Sequence, residues 1–410
     1  MAITIITAPV STYVPAYNPI IVTASSTNTA QPNFRYIVQV IFSYPSVVTK
    51  TFKMSARPDG FLLFDAHRIV ENYLSYDFTI SDATDSITCP NSYASFIIDI
   101  GEEYGTTPTE YLSLADTSNI NAVNAAVRHS VASFGGETDL INLNIQTQYQ
   151  MLTGTLSTAR KFLTTAPRDG IKICDDSNFY LYITTGAATE PIKLMLKTYD
   201  STDTLLGTEI KTLTATTALV LRYGVGTKNI NEWNAAYLVG ASYYTITLCD
   251  NTPAALGETI RFNIDCGCSK FNETFRLHWL NPLGGFDAFT FNQKFDRNLN
   301  IKKANYTKIL GTVNGSGAFS FATSQAGKVA FDARATEQIK INSDWVTEEE
   351  NEWIWTLAKS TQVFWEIDAD TYAPVTVTNA SYKQQTYAGK KLFNAEFTIE
   401  ISNEIISQRQ

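Results

Sequence analysis

The chain has 410 residues and carries 31 Lys and Arg against 40 Asp and Glu, a net charge of -9. Hydrophobic residues make up 44% and aromatics 12%, enough apolar material for several packed cores, which excludes a disordered chain. The acidic balance argues against nucleic acid as a partner, because phosphate binding draws on clustered Lys and Arg.

Only 17% of residues are charged, below the roughly 25% usual in soluble proteins. Mean hydropathy is only -0.10, so Thr, Ser, Asn and Gln fill the gap. The opening MAITIITAPVSTYVPAYNP lacks a basic region and is broken by Pro9, so no secretory signal is expected. No window approaches the ~18 consecutive apolar residues of a spanning helix, and no membrane insertion is expected.

In chain order, NFRYIVQVIF places Phe34, Tyr36, Val38, Val40 and Phe42 on one face, with Arg35 and Gln39 opposite. That period-2 alternation predicts an antiparallel strand with one dry face. Strands are also predicted over 47–54, 95–100, 180–184, 191–199, 218–223, 243–249, 259–268, 275–280 and 288–291. In FNAEFTIEIS, Phe393, Ala395, Phe397, Ile399 and Ile401 form the dry face of a final strand. A short helix is predicted near 64–75, after the Pro58-Asp59-Gly60 turn. A second is predicted near 347–359, with Thr347 as N-cap, Glu348, Glu349 and Glu350 in the first turn and Lys359 in the last. Residues 121–132 read as either helix or strand, and 311–320 as a turn.

The expected class is therefore all-β, mainly antiparallel, with several β-sandwich or barrel modules and one or two short helices. Expected modules are 1–105, an N-terminal β domain; 106–265, a central β-sandwich; and 266–410, a C-terminal β domain.

Residues able to carry chemistry are sparse. Cys89, Cys174, Cys249, Cys266 and Cys268 are too few and scattered for a disulfide framework. Cys266 and Cys268 share one strand face and read as small buried hydrophobes. His67, His129 and His278 have no metal-like spacing, and His278 reads as a surface or interface histidine. Asp287 reads as a turn residue; as one of a carboxylate pair it would suit a glycosidase. Asp368 and Asp370 offer oxygen ligands but lack a calcium-loop pattern. No catalytic, cofactor-binding or metal-binding residue is assigned. Trp233 and Tyr372 are the candidates for stacking on a glycan. Trp279, Phe286, Phe289, Trp353, Trp355 and Trp365 are candidates for subunit contact; those clustered around the acidic helix, Trp345, Trp353, Trp355 and Trp365, read as core or subunit contact.

Five segments carry a resemblance: PAYNPIIVTASSTNTAQPNFRYIVQV (15–40), PDGFLLFDAHRIVENYLS (58–75), KFLTTAPRDGIKICDDSNFYLYI (161–183), IDCGCSKFNETFRLHWLNPLGGFDAFTF (264–291) and FWEIDADTYAPVTVTNASYKQQTYAGKKLFNAEFTIEIS (364–402). In this order they resemble virion structural proteins of tailed bacteriophages, especially phages of Bacteroidetes-type hosts. The matching motifs are turns, buried aromatics and strand edges, and no catalytic residue carries over. The resemblance implies a non-enzymatic part of the tail, baseplate or collar, made in the host cytoplasm and resident in the virion. It implies a symmetric oligomer contacting copies of itself and other virion proteins, through the C-terminal helix region and 277–291. The alternatives are a receptor- or glycan-binding tail-tip module meeting a host surface glycan, a glycan-degrading enzyme and a capsid-associated protein.

Overall fold

The computed structural model describes residues 3–9, 13–78, 87–126, 162–184, 193–212, 219–249, 255–265, 273–325, 327–368, 371–378, 392–402 and 405–406. His129, Cys266, Cys268 and Asp370 lie outside them. The chain divides into two compact units: Met1–Gly267 with Trp279–Phe289, and Cys268–His278 with Thr290–Gln410. The fold is all-β, with mainly antiparallel sheets and short helices.

The first unit opens with a sandwich. One sheet orders Ile3–Thr7, Ile21–Ser26 and Leu62–Asp65. The other orders Tyr13–Pro15, Ile120–Val123, Tyr93–Tyr104, Arg35–Tyr44 and Val48–Met54, with Thr109–Asp116 also paired to Tyr93–Tyr104. Tyr36, Val38, Val40 and Phe42, the dry face predicted from alternation, are wholly buried against Val22, Ala24, Leu62, Phe96 and Ile98. Each such side chain contributes about 1.5–3 kcal/mol on leaving water. A buried carboxylate sits beside this core: Glu102 accepts hydrogen bonds from Ser26 Oγ and Asn28 Nδ2, both at 2.6 Å.

The expected boundary at 105/106 falls in the turn between Tyr93–Tyr104 and Thr109–Asp116, whose strands pair with each other. Residues 109–123 therefore complete the N-terminal sheet. The described start of the ambiguous 121–132 stretch is strand Ile120–Val123, which runs parallel to Tyr13–Pro15. The helix expected near 64–75 shrinks to His67–Val70 and a following 3-10 turn, Glu71–Tyr73. Phe64 instead belongs to strand Leu62–Asp65, because its side chain is needed in the sandwich core.

A five-stranded sheet follows, ordered Ile171–Ile173, Ala255–Ile264, Tyr243–Cys249, Lys193–Tyr199 and Leu205–Thr212. Its first pair is parallel, and Leu205–Thr212 is an edge strand. A three-stranded sheet orders Tyr180–Thr184, Val220–Gly224 and Ile87–Thr88. The aromatic centre stacks Tyr244 on Phe262 at 5.1 Å, with Phe179 edge-on at 5.2 Å. Helix Thr227–Trp233 leaves this core through the Asn229 side chain, whose Oδ1 accepts from the backbone amides of Gly226 and Phe179.

The remaining large sheet orders Phe286–Phe291, Phe275–Leu280, Val363–Asp368, Thr371–Val377, Glu396–Ile401, Lys328–Asn342 and Asp296–Thr307, with Ile405–Ile406 paired to Lys328–Asn342. Residues 279–289 of its first hairpin belong to the first unit and the rest to the second. Phe397 and Ile399 are fully buried, as the terminal alternation predicts. Helix Glu348–Lys359 starts at the predicted N-cap. Thr347 Oγ1 accepts from the Glu350 amide at 3.2 Å, and the Glu350 carboxylate accepts from the Thr347 amide at 2.8 Å. This reciprocal cap satisfies two otherwise orphan donors. Replacing Thr347 with Ala is expected to cost about 1 kcal/mol, measured by chemical denaturation of the purified chain.

Candidate assembly surface

Three places merit a test for chemistry. In the second unit, Arg276 and His278 alternate on one face of Phe275–Leu280, and both meet Glu366. Glu366 Oε2 lies 2.5 Å from His278 Nε2 and 3.2 Å from Arg276 Nε. The three side chains are 7%, 1% and 7% exposed, for Arg276, His278 and Glu366 in turn. The Arg276 guanidinium also donates to Thr290 Oγ1 at 2.8 Å, and the Tyr372 ring stands edge-on to the His278 ring at 5.3 Å. His278 is thus buried, not at the surface as its strand pattern implied, because both faces of this strand are covered. Burial pushes its pKa below the usual histidine value; Glu366 opposes that shift, and Arg276 adds to it. The cluster is a buried, charge-paired core element.

In the first unit, Asp287 is fully buried. Its Oδ1 accepts from Thr164 Oγ1 at 2.6 Å and Asn281 Nδ2 at 3.0 Å. Asn281 Nδ2 also reaches the Leu163 carbonyl, and Asn281 Oδ1 accepts from the amides of Leu283 and Gly285. Asp287 therefore ties one turn to the 162–164 segment. Asp368 is exposed at a strand end. Among the described residues no group of three or more His, Cys, Asp or Glu is placed to hold a metal ion. Burial pushes the Cys89 thiol up to about 12.

The aromatic candidates divide clearly. Trp279, Phe286, Phe289, Trp353 and Trp365 are buried within the chain, and Trp355 is half-buried. Phe286 packs against Phe78 and Tyr76, and Trp365 against Phe275. The five buried side chains pack into the chain's own core, and Trp355 keeps part of its surface open. Trp345 is 57% exposed. Trp233 is half-buried, with the Lys211 ammonium over its ring at 5.1 Å. Tyr372 is half-buried against His278, so neither candidate presents a bare ring face.

Much of the exposed apolar surface lies on a stretch with no predicted strand. Asp296–Thr307 and Lys328–Asn342 form a long antiparallel hairpin, in register from Asp296↔Lys340 to Thr307↔Lys328. All twelve residues of Asp296–Thr307 are exposed. Glu396–Ile401 pairs with 338–342 and Ile405–Ile406 with 334–335. Among the described residues, 328–332 pair with 304–307 alone, as a two-stranded ribbon. Its end carries a further small pair, Thr312–Val313 with Phe319–Ser320, where 311–320 had read simply as a turn.

The ribbon end is fixed by its own hydrogen bonds. Asn314 Oδ1 accepts from the amides of Ser316 and Ala318, and Gln325 Oε1 from that of Gly311. Gly311 has a φ of +87°, and a Cβ there would meet the Phe319 ring at 2.5 Å, so only glycine lets that ring lie down. Around this frame Ile309 is 90% exposed, Val313 65%, Phe319 60% and Phe321 61%.

No protein-family model matches the chain. No curated protein matches it either. Among solved structures it is similar to the tetra-tandem repeat in the extending region of a large adhesion protein, at 10% identity and a TM-score of 0.20, covering 99% of this chain and 90% of that one. A likeness that weak carries no argument.

Two outcomes are expected of the buried cluster. Replacing Arg276 with Met strands a buried carboxylate and is expected to cost about 3–5 kcal/mol in denaturant titrations. An ordinary histidine is half-protonated at about pH 6.5. His278 binds that proton less readily when folded than when unfolded, so the unfolded state binds more protons and stability falls as pH drops through that value. Ring NMR signals of His278 are expected to stay flat there; half-protonation at or above about pH 6.5 contradicts this reading.

Proposed function

We propose that the chain is a structural subunit that assembles with copies of itself, as a non-enzymatic part of the tail, baseplate or collar of a tailed-bacteriophage virion. The observation that carries self-assembly is the arm, residues 296–342. A two-stranded hairpin alone is marginally stable in water, and this one exposes large apolar side chains on a pre-ordered frame. A partner surface covering Ile309, Val313, Phe319 and Phe321 gains that burial without first ordering the arm.

Charge favours a second copy as that partner. The arm holds seven Lys and Arg against three Asp and Glu, a net +4; the whole chain is -9, so its other residues sum to -13. Lys302, Lys303, Lys308 and Lys328 make no ion pair among the described residues. A cationic arm on an acidic body is complementary to its own copies, and complementarity of this kind sets register and orientation. The virion setting rests on the five segments that resemble tailed-phage structural proteins.

Light scattering after size-exclusion chromatography is expected to give an oligomer for the full chain. The triple substitution Ile309→Ser, Phe319→Ser, Phe321→Ser is expected to give a monomer with an unchanged β circular-dichroism signal. A wild-type chain that is monomeric at about 100 μM, well above the micromolar range of modest interfaces, overturns self-assembly. Antibody to the chain is expected to decorate purified virions at the tail in negative stain; label that never touches particles removes the phage setting.

A further inference from the structure

The first unit contains a cleft that the assembly reading does not use. Its floor is formed by Lys193–Tyr199 and the edge strand Leu205–Thr212, and its far wall by the turns after helix Thr227–Trp233. Leu196, Thr198, Leu206, Gly207, Glu209, Ala236, Tyr237 and Val239 line a cavity volume of about 330 Å³. That lies at the lower end of the range for small-molecule sites.

Strand register accounts for its shape. Thr198 pairs with Gly207 and Leu196 with Glu209, while Tyr199 pairs with Leu205, so Leu206 is the extra residue of a bulge. Gly207, Glu209 and Lys211 then alternate on one face of the edge strand. Lys211 lies over Trp233, and Glu209 stands beside Tyr237, whose pKa is raised by burial and by that carboxylate. At Gly207 itself the edge strand carries no side chain, and the row opens into the cleft.

Glycine is not demanded there by the backbone or by crowding. Gly207 has no positive φ, and a Cβ built on it would meet only Thr198 Oγ1, at an ordinary 3.5 Å. A glycine inside a strand weakens it, and commonly marks a place that a ligand approaches closely. Bulges likewise gather beside sites. The opposite wall is held firm: the Tyr237 amide donates to the Asn234 carbonyl at 3.1 Å, and the Ala236 amide to Asn234 Oδ1 at 2.9 Å.

The lining selects an amphipathic, uncharged guest. Tyr237, Leu196, Leu206 and Val239 offer apolar contact, while the Glu209 carboxylate accepts hydrogen bonds and the Thr198 hydroxyl can donate or accept. Among the described residues no cationic side chain lines the cleft, which disfavours phosphates, sulfates and uronates. A sugar ring has one C–H face for an aromatic and a rim of hydroxyls for acceptors. We propose that this cleft binds a saccharide, with one neutral or amine-bearing hexose ring stacked on Tyr237 and its hydroxyls hydrogen-bonded to Glu209 and Thr198.

Saturation-transfer NMR on the full chain tests this, with the methyl glycosides of glucose, galactose, mannose and N-acetylglucosamine as probes and methyl glucuronide as the anionic control. Transfer to the ring C–H protons of at least one neutral probe is expected, with none to the glucuronide. Gly207→Leu adds a side chain to the floor, where a Cβ meets nothing closer than 3.5 Å, and Tyr237→Ala removes the platform; each is expected to weaken binding by about tenfold or more, with thermal unfolding unchanged for Gly207→Leu. Tyr372→Ala, in the other unit, is expected to bind as wild type. Silence from all four neutral probes, undiminished transfer in Gly207→Leu, or equal transfer to the glucuronide overturns the proposal. Because the arm is untouched by these variants, either result leaves self-assembly to its own test.

Discussion

The pairing of Lys328–Asn342 with Asp296–Thr307 is the constraint on which the reading of this protein turns. The longer strand is anchored at one end, where Ile339 and Ile341 are fully buried and Glu396–Ile401 runs alongside. Beyond residue 334 the ladder continues with hydrogen bonds but without a second neighbour among the described residues. Backbone bonding alone cannot offset the entropy of ordering so many residues, since each ladder bond is worth only about 1 kcal/mol net. The side-chain bonds of Asn314 and Gln325 help to hold the end, and Gly311 lets Phe319 fold flat. A chain that maintains such a segment in water is equipped for contact elsewhere.

The rest of the molecule treats polar groups in the opposite way. Glu102, Asp287 and Glu366 are buried and each is met by named donors. Asn229 and Asn281 serve as side-chain braces where a helix or turn leaves the core. Buried polar groups left unsatisfied cost about 1–3 kcal/mol each, so these braces fix where turns can sit. The modest charge of the sequence agrees with this economy, because Thr, Ser and Asn satisfy turns without ions that must be desolvated.

What the sequence made legible follows from which faces are dry. Alternation located Arg35–Tyr44 and Glu396–Ile401 because one face of each meets a core. Capping chemistry located Glu348–Lys359 to within a residue. The arm was illegible for the same reason: DRNLNIKKANYT has no dry face in its own chain. The Arg276–Glu366 pair joins residues 90 apart, and the Gly207 cleft is made by an absent side chain, so neither leaves a local pattern. The tryptophans near the acidic helix read as core or contact because aromatic content is shared by cores and interfaces, and here Trp353 and Trp365 went to the core.

The two parallel pairings bear on how the chain is made. Among the described residues, Tyr13–Pro15 pairs with the later Ile120–Val123, and Ile171–Ile173 with the later Phe262–Ile264. On a ribosome adding roughly 5–20 residues per second, the earlier strand of each pair waits several seconds for the later one. During that wait its edge is open, and non-local pairing of this kind folds slowly. Synthesis rate and chaperone supply, more than final stability, are then expected to set the yield of native subunits.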